Sequence, residues 1–194
     1  MQPRLGLVCI TLSKEVRYRM VTRKRLLALP AEGQRILLDE IFRDNIRTFD
    51  TAIDYCEREG IALYRIVSSI FSFADEDIGR EALRPHAARL ARSGQRAIDR
   101  NIRLVMHPDQ FVVLSSDSPA VVTNSVKIMQ MHADIMDLLQ QPRSPWALLE
   151  IHGGKSGRSD ALVERIATLP DAIRLRIGLE NDEYSYRAAE IHEV

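Results

Sequence analysis

Apolar runs of strand length recur along the chain and alternate with longer segments of helical periodicity. The runs are LGLVCI at 5–10, IALYRIV at 61–67, IRLVM at 102–106, WALLEI at 146–151 and LRIGL at 175–179. Strands that are covered on both faces are apolar along most of their length, as these runs are. Strands that alternate with helices predict a parallel α/β sheet.

Helices are indicated between the runs by apolar residues spaced three or four apart. They are predicted at 34–59, 85–100, 119–140 and about 159–168, and a fifth begins near 185. Pro85 and Pro119 suit a first helical turn, where a proline loses no hydrogen bond, and Gly60 suits a helix end. The segments are long enough to connect neighbouring parallel strands.

Polar side chains follow each predicted strand. They are Thr11, then Ser68 and Ser69, then His107, then Glu150 and His152, then Glu180, Asn181 and Asp182. In a TIM (β/α)₈ barrel the active site is assembled from the carboxyl ends of the strands. A doubly wound sheet would bind its ligand at one switch point, usually beside a glycine-rich phosphate loop, and the sequence contains no such loop. The pattern favours the barrel.

Five βα units are fewer than the eight of a barrel, which typically needs about 250 residues. We therefore expect residues 1–194 to be a single domain, the N-terminal part of a TIM barrel whose C-terminal strands are missing. The alternative is an open sheet with an exposed edge.

Three residues at the ends of consecutive strands form the predicted metal site: His107, His152 and Glu180. Two imidazoles and a carboxylate suit a divalent ion such as Mn²⁺ or Zn²⁺, with positions left for water or substrate. Each has a structural alternative, since a histidine at a strand end is often only hydrogen-bonded and Glu180 could cap the next helix. Glu150 shares the strand face of His152, but the favoured interpretation is an ion pair with Arg103 or Arg176, so Glu150 is not counted as a ligand.

Two further segments carry chemistry with open alternatives. The glycines and Lys155 of HGGKSG (152–157) could bind an anion, or they could serve a turn that needs positive φ. Gln110 and Phe111 follow His107 closely. An amide and an aromatic ring beside a metal site could enter a base stack, whereas the alternative is that Phe111 covers the next helix.

Composition excludes several classes of protein. The 27 basic and 27 acidic residues cancel, so only a local strip, KEVRYRMVTRKR at 14–25, could face phosphate; a solvated surface segment is the alternative. Two cysteines provide no disulfide framework and indicate a reducing compartment. No apolar run approaches the roughly 18 residues of a membrane span. A cytoplasmic protein is expected.

MHPDQF, EIHGGKSG and LENDE, in this order, resemble the UV-damage endonucleases, and LGLVC and LYRIVSS extend the resemblance over nearly the whole chain. That family comprises ATP-independent DNA repair nucleases that nick double-stranded DNA immediately 5′ to an ultraviolet photoproduct. The resemblance implies a TIM barrel, and a cluster of divalent metal ions with Mn²⁺ expected and Zn²⁺ or Mg²⁺ as alternatives. It also implies a protein that is monomeric at full length.

Residue by residue, the resemblance makes His107, His152 and Glu180 catalytic metal ligands, and Gln110 and Phe111 the pair that probes the lesion. Phe111 departs from the usual tyrosine of the family and so lacks a hydroxyl. Remaining ligands of the family lie in the last three barrel strands. Alternatives are an abasic-site endonuclease or a sugar isomerase on the same barrel, or an inactive truncated fragment that binds DNA or metal.

Overall fold

The computed structural model describes residues 5–108 and 111–181, and its sheet has five strands in chain order, β1-β2-β3-β4-β5. The strands are β1 (Gly6–Val8), β2 (Leu63–Ile66), β3 (Arg103–Met106), β4 (Leu149–His152) and β5 (Ile177–Glu180). Parallel pairing joins β1 to β2, β3 to β4 and β4 to β5. β1, β2 and β3 lie inside predicted apolar runs, and β4 and β5 extend one residue beyond theirs, to His152 and Glu180. This agreement confirms the parallel α/β sheet.

Helices connect the strands. They are α1 (Arg23–Leu27), α2 (Ala31–Arg58), α3 (Asp77–Leu83), α4 (Ala87–Asp99), α5 (Pro119–Leu138), α6 (Ser159–Ala167) and α7 (Asp171–Arg174). The predictions missed the short helices α1, α3 and α7. Pro85 lies in a 3₁₀ turn, Arg84–His86, that leads from α3 into α4. The helix predicted from residue 185 lies outside the described residues.

Two compact units divide the chain, and the first comprises Met1–Leu104 with Leu138–Gln141. Its core contains one face of α2, including Phe42, Ile46, Phe49 and Ile53. Ile36, which the periodicity assigned to that face, is instead 52% exposed.

Asn45 is a fully buried polar residue of this core. Its amide exchanges hydrogen bonds with the backbone of Arg19 at 2.8 and 2.9 Å and donates to the carbonyl of Ile70 at 2.7 Å. Because Asn45 is fully buried, these bonds stabilise the position of the basic segment 14–25 on α2.

The second unit comprises Val105–Asp137 and Pro142–Val194. Its core includes Met129, Ala133, Met136, Leu149 and Ile151. In β4 the residues alternate between buried and half-buried, so Glu150 and His152 share a face as a β-strand requires.

Arg176 is fully buried in this unit and forms an ion pair with Asp137 at 2.7 Å. Its guanidinium also donates to the carbonyl oxygens of Pro142, Ala133 and Ala172. This partner differs from the Glu150 considered in the sequence analysis. Within 5–108 and 111–181, none of the helices combines the length and the hydropathy needed to cross a membrane.

Candidate metal centre

His107, His152 and Glu180 lie together at the carboxyl ends of their strands. One potential ligand atom from each residue lies within 4.8 Å of the other two. His152 and Glu180 are register partners on the adjacent strands β4 and β5, and His107 directly follows β3. The parallel arrangement therefore brings together three residues that are distant in the sequence.

The carboxylate of Glu180 lies between the two imidazoles. Its Oε2 atom is 2.8 Å from His107 Nε2 and 3.4 Å from His152 Nδ1. The ring centroids of the histidines are 5.0 Å apart and the rings are inclined at 75°. The side chains are partly accessible, with 16%, 35% and 41% exposure for His107, His152 and Glu180, so a ligand from solvent can reach them.

The other nitrogen of His107 fixes the orientation of its ring. Nδ1 lies 2.9 Å from the carbonyl oxygen of Pro108, an acceptor, so Nδ1 carries a proton and donates it there. Nε2 then faces the carboxylate of Glu180. Histidines that ligate metals commonly donate their second N–H to a backbone carbonyl, which fixes the tautomer. The donor set therefore fits a divalent cation, and the three residues form a possible metal-binding triad.

Phe111 lies just after this centre in the chain and is 71% exposed. This exposure disfavours the alternative in which Phe111 covers the next helix, and the role of Phe111 in lesion binding stays a prediction. Gln110 lies outside the described residues.

The HGGKSG segment forms a turn that the preceding loop stabilises. Gly154 has a φ of +86°, as the turn interpretation requires. The hydroxyl of buried Ser115 accepts a hydrogen bond from the Lys155 amide at 2.8 Å and donates to the Gly153 carbonyl at 3.3 Å. Lys155 also forms an ion pair with Asp117.

Ser115 and Asp117 are functional candidates that the sequence alone does not reveal. Both belong to the segment between β3 and α5, and their partners follow β4. Their types and spacing carry no recognisable motif, so only the contact between the two loops reveals them.

In the basic segment 14–25, two of the arginines are engaged by acidic neighbours. Arg19 pairs with Asp44, and Arg23 pairs with Glu76. The segment is therefore partly neutralised, and its proposed contact with phosphate stays a prediction.

Comparison with known proteins gives a consistent result. The family model described as UV-endonuclease UvdE matches residues 3–194. A UV DNA damage endonuclease from Nostoc sp. is 47% identical and aligns with the whole chain, which spans 61% of that relative. One from Deinococcus radiodurans is 48% identical over 97% of the chain, which spans 63% of the relative.

The crystal structure of SacUVDE has the same fold. It superimposes with a TM-score of 0.85 at 22% identity, covering 98% of this chain and 64% of the other. This likeness, with the five parallel strands and intervening helices, confirms a partial TIM-barrel-type fold. By the extent of the family match and the identity to these relatives, the chain belongs to the UvdE family of UV endonucleases.

Proposed function

We propose that this chain provides the first metal-binding strands of a DNA repair endonuclease, which nicks double-stranded DNA 5′ to ultraviolet photoproducts. The observation that carries the proposal is the convergence of His107, His152 and Glu180 in a chain of this family. The names of the relatives support DNA as the substrate. We further propose that residues 1–194 belong to a single barrel domain.

The three residues would hold one divalent cation, for which we infer Mn²⁺. A ligand set of two nitrogens and one carboxylate is compatible with Mn²⁺ and with Zn²⁺. The Oε2 atom of Glu180 faces both histidines. Because a carboxylate has two oxygens, Glu180 would share a second ion if further ligands from the remaining barrel strands were present. When bound, the metal would lower the pKa of a water molecule and neutralise charge on the scissile phosphate.

The side chains of the centre would position the metal rather than transfer protons. Pro108 fixes the tautomer of His107 through the 2.9 Å hydrogen bond at Nδ1, which leaves Nε2 directed at the centre. Register pairing with His152 fixes the backbone position of Glu180. A preorganised set of ligands costs little reorganisation when phosphate approaches.

Recognition of damage would rest on exposed Phe111. A photoproduct weakens base stacking, so the duplex kinks and extrudes the lesion at a lower cost than intact DNA. An aromatic side chain inserted into the gap would restore part of the lost stacking energy. We infer that Gln110 acts beside it, as the family resemblance implies.

Free thiols at Cys9 and Cys56 support a reducing compartment, and we infer the cytoplasm.

A second candidate function follows from the share of its relatives' length that the chain spans. The chain spans about three fifths of the curated relatives, so binding of metal and DNA without nicking is the rival for these 194 residues.

The test uses a DNA duplex with one defined photoproduct. Nicking is measured for the chain itself and for a chimaera in which it replaces the matching part of the Deinococcus radiodurans relative. We expect nicking by the chimaera that requires Mn²⁺ and is lost in His107→Ala and His152→Ala. An undamaged duplex and an abasic duplex are the controls. Equal nicking by the unsubstituted and histidine-substituted chimaeras would refute the site.

If the chain binds Mn²⁺ and DNA but only the chimaera nicks, the rival describes the 194 residues. If neither protein nicks the damaged duplex, the endonuclease proposal is wrong.

A further inference from the structure

A hollow of about 280 Å³ lies between the start of α5 and the segment that leads into α6. Its lining includes Ser116, Asp117, Pro119, Thr123, Arg158 and Arg165. Its volume is several times the roughly 30 Å³ that a water molecule occupies in the liquid, so a larger polar group fits. Hydroxyl and guanidinium groups dominate its polar lining, which suits an oxyanion.

The one carboxylate in the lining is already compensated. Arg158 Nη1 lies 2.8 Å from Asp117, and Lys155 forms a second ion pair with the same carboxylate. The hydrogen bond from Lys155 and the charges of Arg158 and Lys155 hold the pKa of Asp117 below its ordinary value, so it is ionised at neutral pH. The two arginines of the lining, Arg158 and Arg165, outnumber its one carboxylate, so the net charge of the lining is positive.

Two guanidinium groups of the lining have N–H donors without a partner among the described residues. In the part of the chain that the structure describes, Arg158 Nε is buried and makes no hydrogen bond. Arg165 is exposed, and no ion pair joins it to a described carboxylate. Arginine presents its N–H groups in a planar fork that matches phosphate oxygens, so these donors fit a tetrahedral oxyanion.

Three lining residues of the hollow, Ser116, Asp117 and Arg158, belong to the same two loops as the histidines of the metal centre, and the others lie in α5 and α6. His107 begins the loop that runs to Pro119, and His152 begins the loop that runs to Arg158. Ser115 joins the loops through its hydrogen bonds to Gly153 and Lys155. A group bound in the hollow would therefore lie on the carboxyl side of the strands, as the metal centre does.

We propose that this hollow binds a phosphodiester group of the DNA strand, at a position other than the scissile one. The inference rests on the proposed function, because DNA supplies the phosphate. An adjoining hollow also contains Arg158, but Asp160 and Glu164 line it, so its charge is unsuited to an anion. The phosphate would bind on the side of Arg165 and Thr123.

The experiment measures binding of an undamaged DNA duplex to the 194-residue chain as a function of salt. Each phosphate that a protein neutralises contributes about −0.9 to the slope of log K against log salt. We expect the double variant Arg158→Gln/Arg165→Gln to lower the magnitude of the slope by about 0.9. Arg174→Gln is the matched control, because Arg174 is exposed on α7, before the amino end of β5.

Mn²⁺ titration and thermal unfolding accompany each variant. Unchanged Mn²⁺ affinity and melting temperature, with a smaller slope only in the double variant, would support the phosphate site. A slope equal to that of the unsubstituted chain would overturn it and leave the metal centre untouched. Failure of the unsubstituted chain to bind duplex would also overturn it, while Mn²⁺ titration and chimaera nicking separately decide the proposed function.

A titration with inorganic phosphate distinguishes the source of the anion. If free phosphate binds and the arginine substitutions abolish that binding, but the DNA slope is unchanged, the hollow is a site for small anions and the proposed DNA contact is wrong.

Discussion

Nε2 of His107 lies 2.8 Å from Oε2 of Glu180, although 73 positions separate the two residues in the sequence. His107 follows β3 and Glu180 ends β5, so their side chains meet across the intervening strand β4. His152, at the end of β4, completes the triad. The meeting of these side chains is what the assignment of a metal centre depends on.

Glu180→Gln should weaken Mn²⁺ binding by at least about 100-fold. The amide keeps the shape of the side chain but removes the negative charge, and loss of a partner that only supports a ligand already costs 10–100-fold. Isothermal titration calorimetry measures the change. Glu150→Gln is the matched control, since Glu150 shares the face of His152 on β4 but is not in the triad. Equal losses in both variants would contradict the assignment of Glu180.

Phe111→Leu should weaken binding to a photoproduct duplex by about 1–3 kcal/mol, the usual value of one stacked base. Mn²⁺ affinity should not change, and Phe111→Tyr should retain full binding because its ring still stacks. Fluorescence anisotropy of a labelled photoproduct duplex measures the binding of both variants, each made in the chimaera. Trp146→Leu is the control, since Trp146 is also an exposed aromatic residue but lies before the amino end of β4. Full lesion affinity in Phe111→Leu would exclude the stacking role.

Gly154→Ala should destabilise the turn after His152 more than Gly157→Ala does. Both glycines have positive φ, which costs another residue about 1–3 kcal/mol. At Gly154 the new Cβ would meet the Ser115 hydroxyl oxygen at 2.5 Å and Val113 Cγ1 at 3.1 Å. Among the described residues, nothing lies within 4 Å of the same atom at Gly157. Urea unfolding gives the two free energies. Equal values would show that Ser115 does not restrain the turn.

Arg176→Met should destabilise the chain by about 1–3 kcal/mol, because it removes a fully buried guanidinium and leaves the carbonyl oxygens that it bonds without their donor. The matched control, Arg174→Met, removes an exposed pair with Asp171 and should cost less than about 1 kcal/mol. Chemical unfolding at neutral pH measures both. Similar values would show that the buried network contributes little.

Asp137 adds a pH dependence to this prediction. Burial acts to raise the pKa of Asp137, but hydrogen bonds from Arg143 and Arg176 and their charges outweigh it, so the pKa lies below the ordinary 3.8. A lowered folded-state pKa stabilises the protein above the unfolded-state pKa, and this stability is lost as the pH falls through the folded value. As the pH falls below about 4, the free energy of unfolding should therefore decrease less in Arg176→Met than in the unsubstituted chain.

The sequence predicted those features that are written locally along the chain. Each strand was predicted from an apolar run. The polar residues at the carboxyl ends of the runs marked the edge of the sheet at which His107, His152 and Glu180 meet. Helix α2 was recognisable by its periodicity, although Ile36 proved exposed because it lies off the face that carries Ile46, Phe49 and Ile53. The short helices α1 and α3 lack a long apolar stripe and were therefore missed.

Contacts between distant segments could not be predicted in this way. The hydrogen bond from the Ser115 hydroxyl to the Gly153 carbonyl depends on which two loops meet, and no spacing in the sequence encodes it. Arg176 was considered as a partner for Glu150, since both lie in predicted strands. In the structure the Arg176 guanidinium pairs with Asp137 at the end of α5, because the packing of α5 brings these two residues together.

The most direct test of the metal centre is a crystal structure of the chain grown with Mn²⁺, with anomalous diffraction recorded at the manganese edge. The account predicts one strong anomalous peak within about 2.0–2.3 Å of His107 Nε2, of a ring nitrogen of His152 and of a carboxylate oxygen of Glu180. A manganese peak elsewhere would contradict it. So would imidazoles and a carboxylate that point away from one another, with an ordered water and no manganese between them.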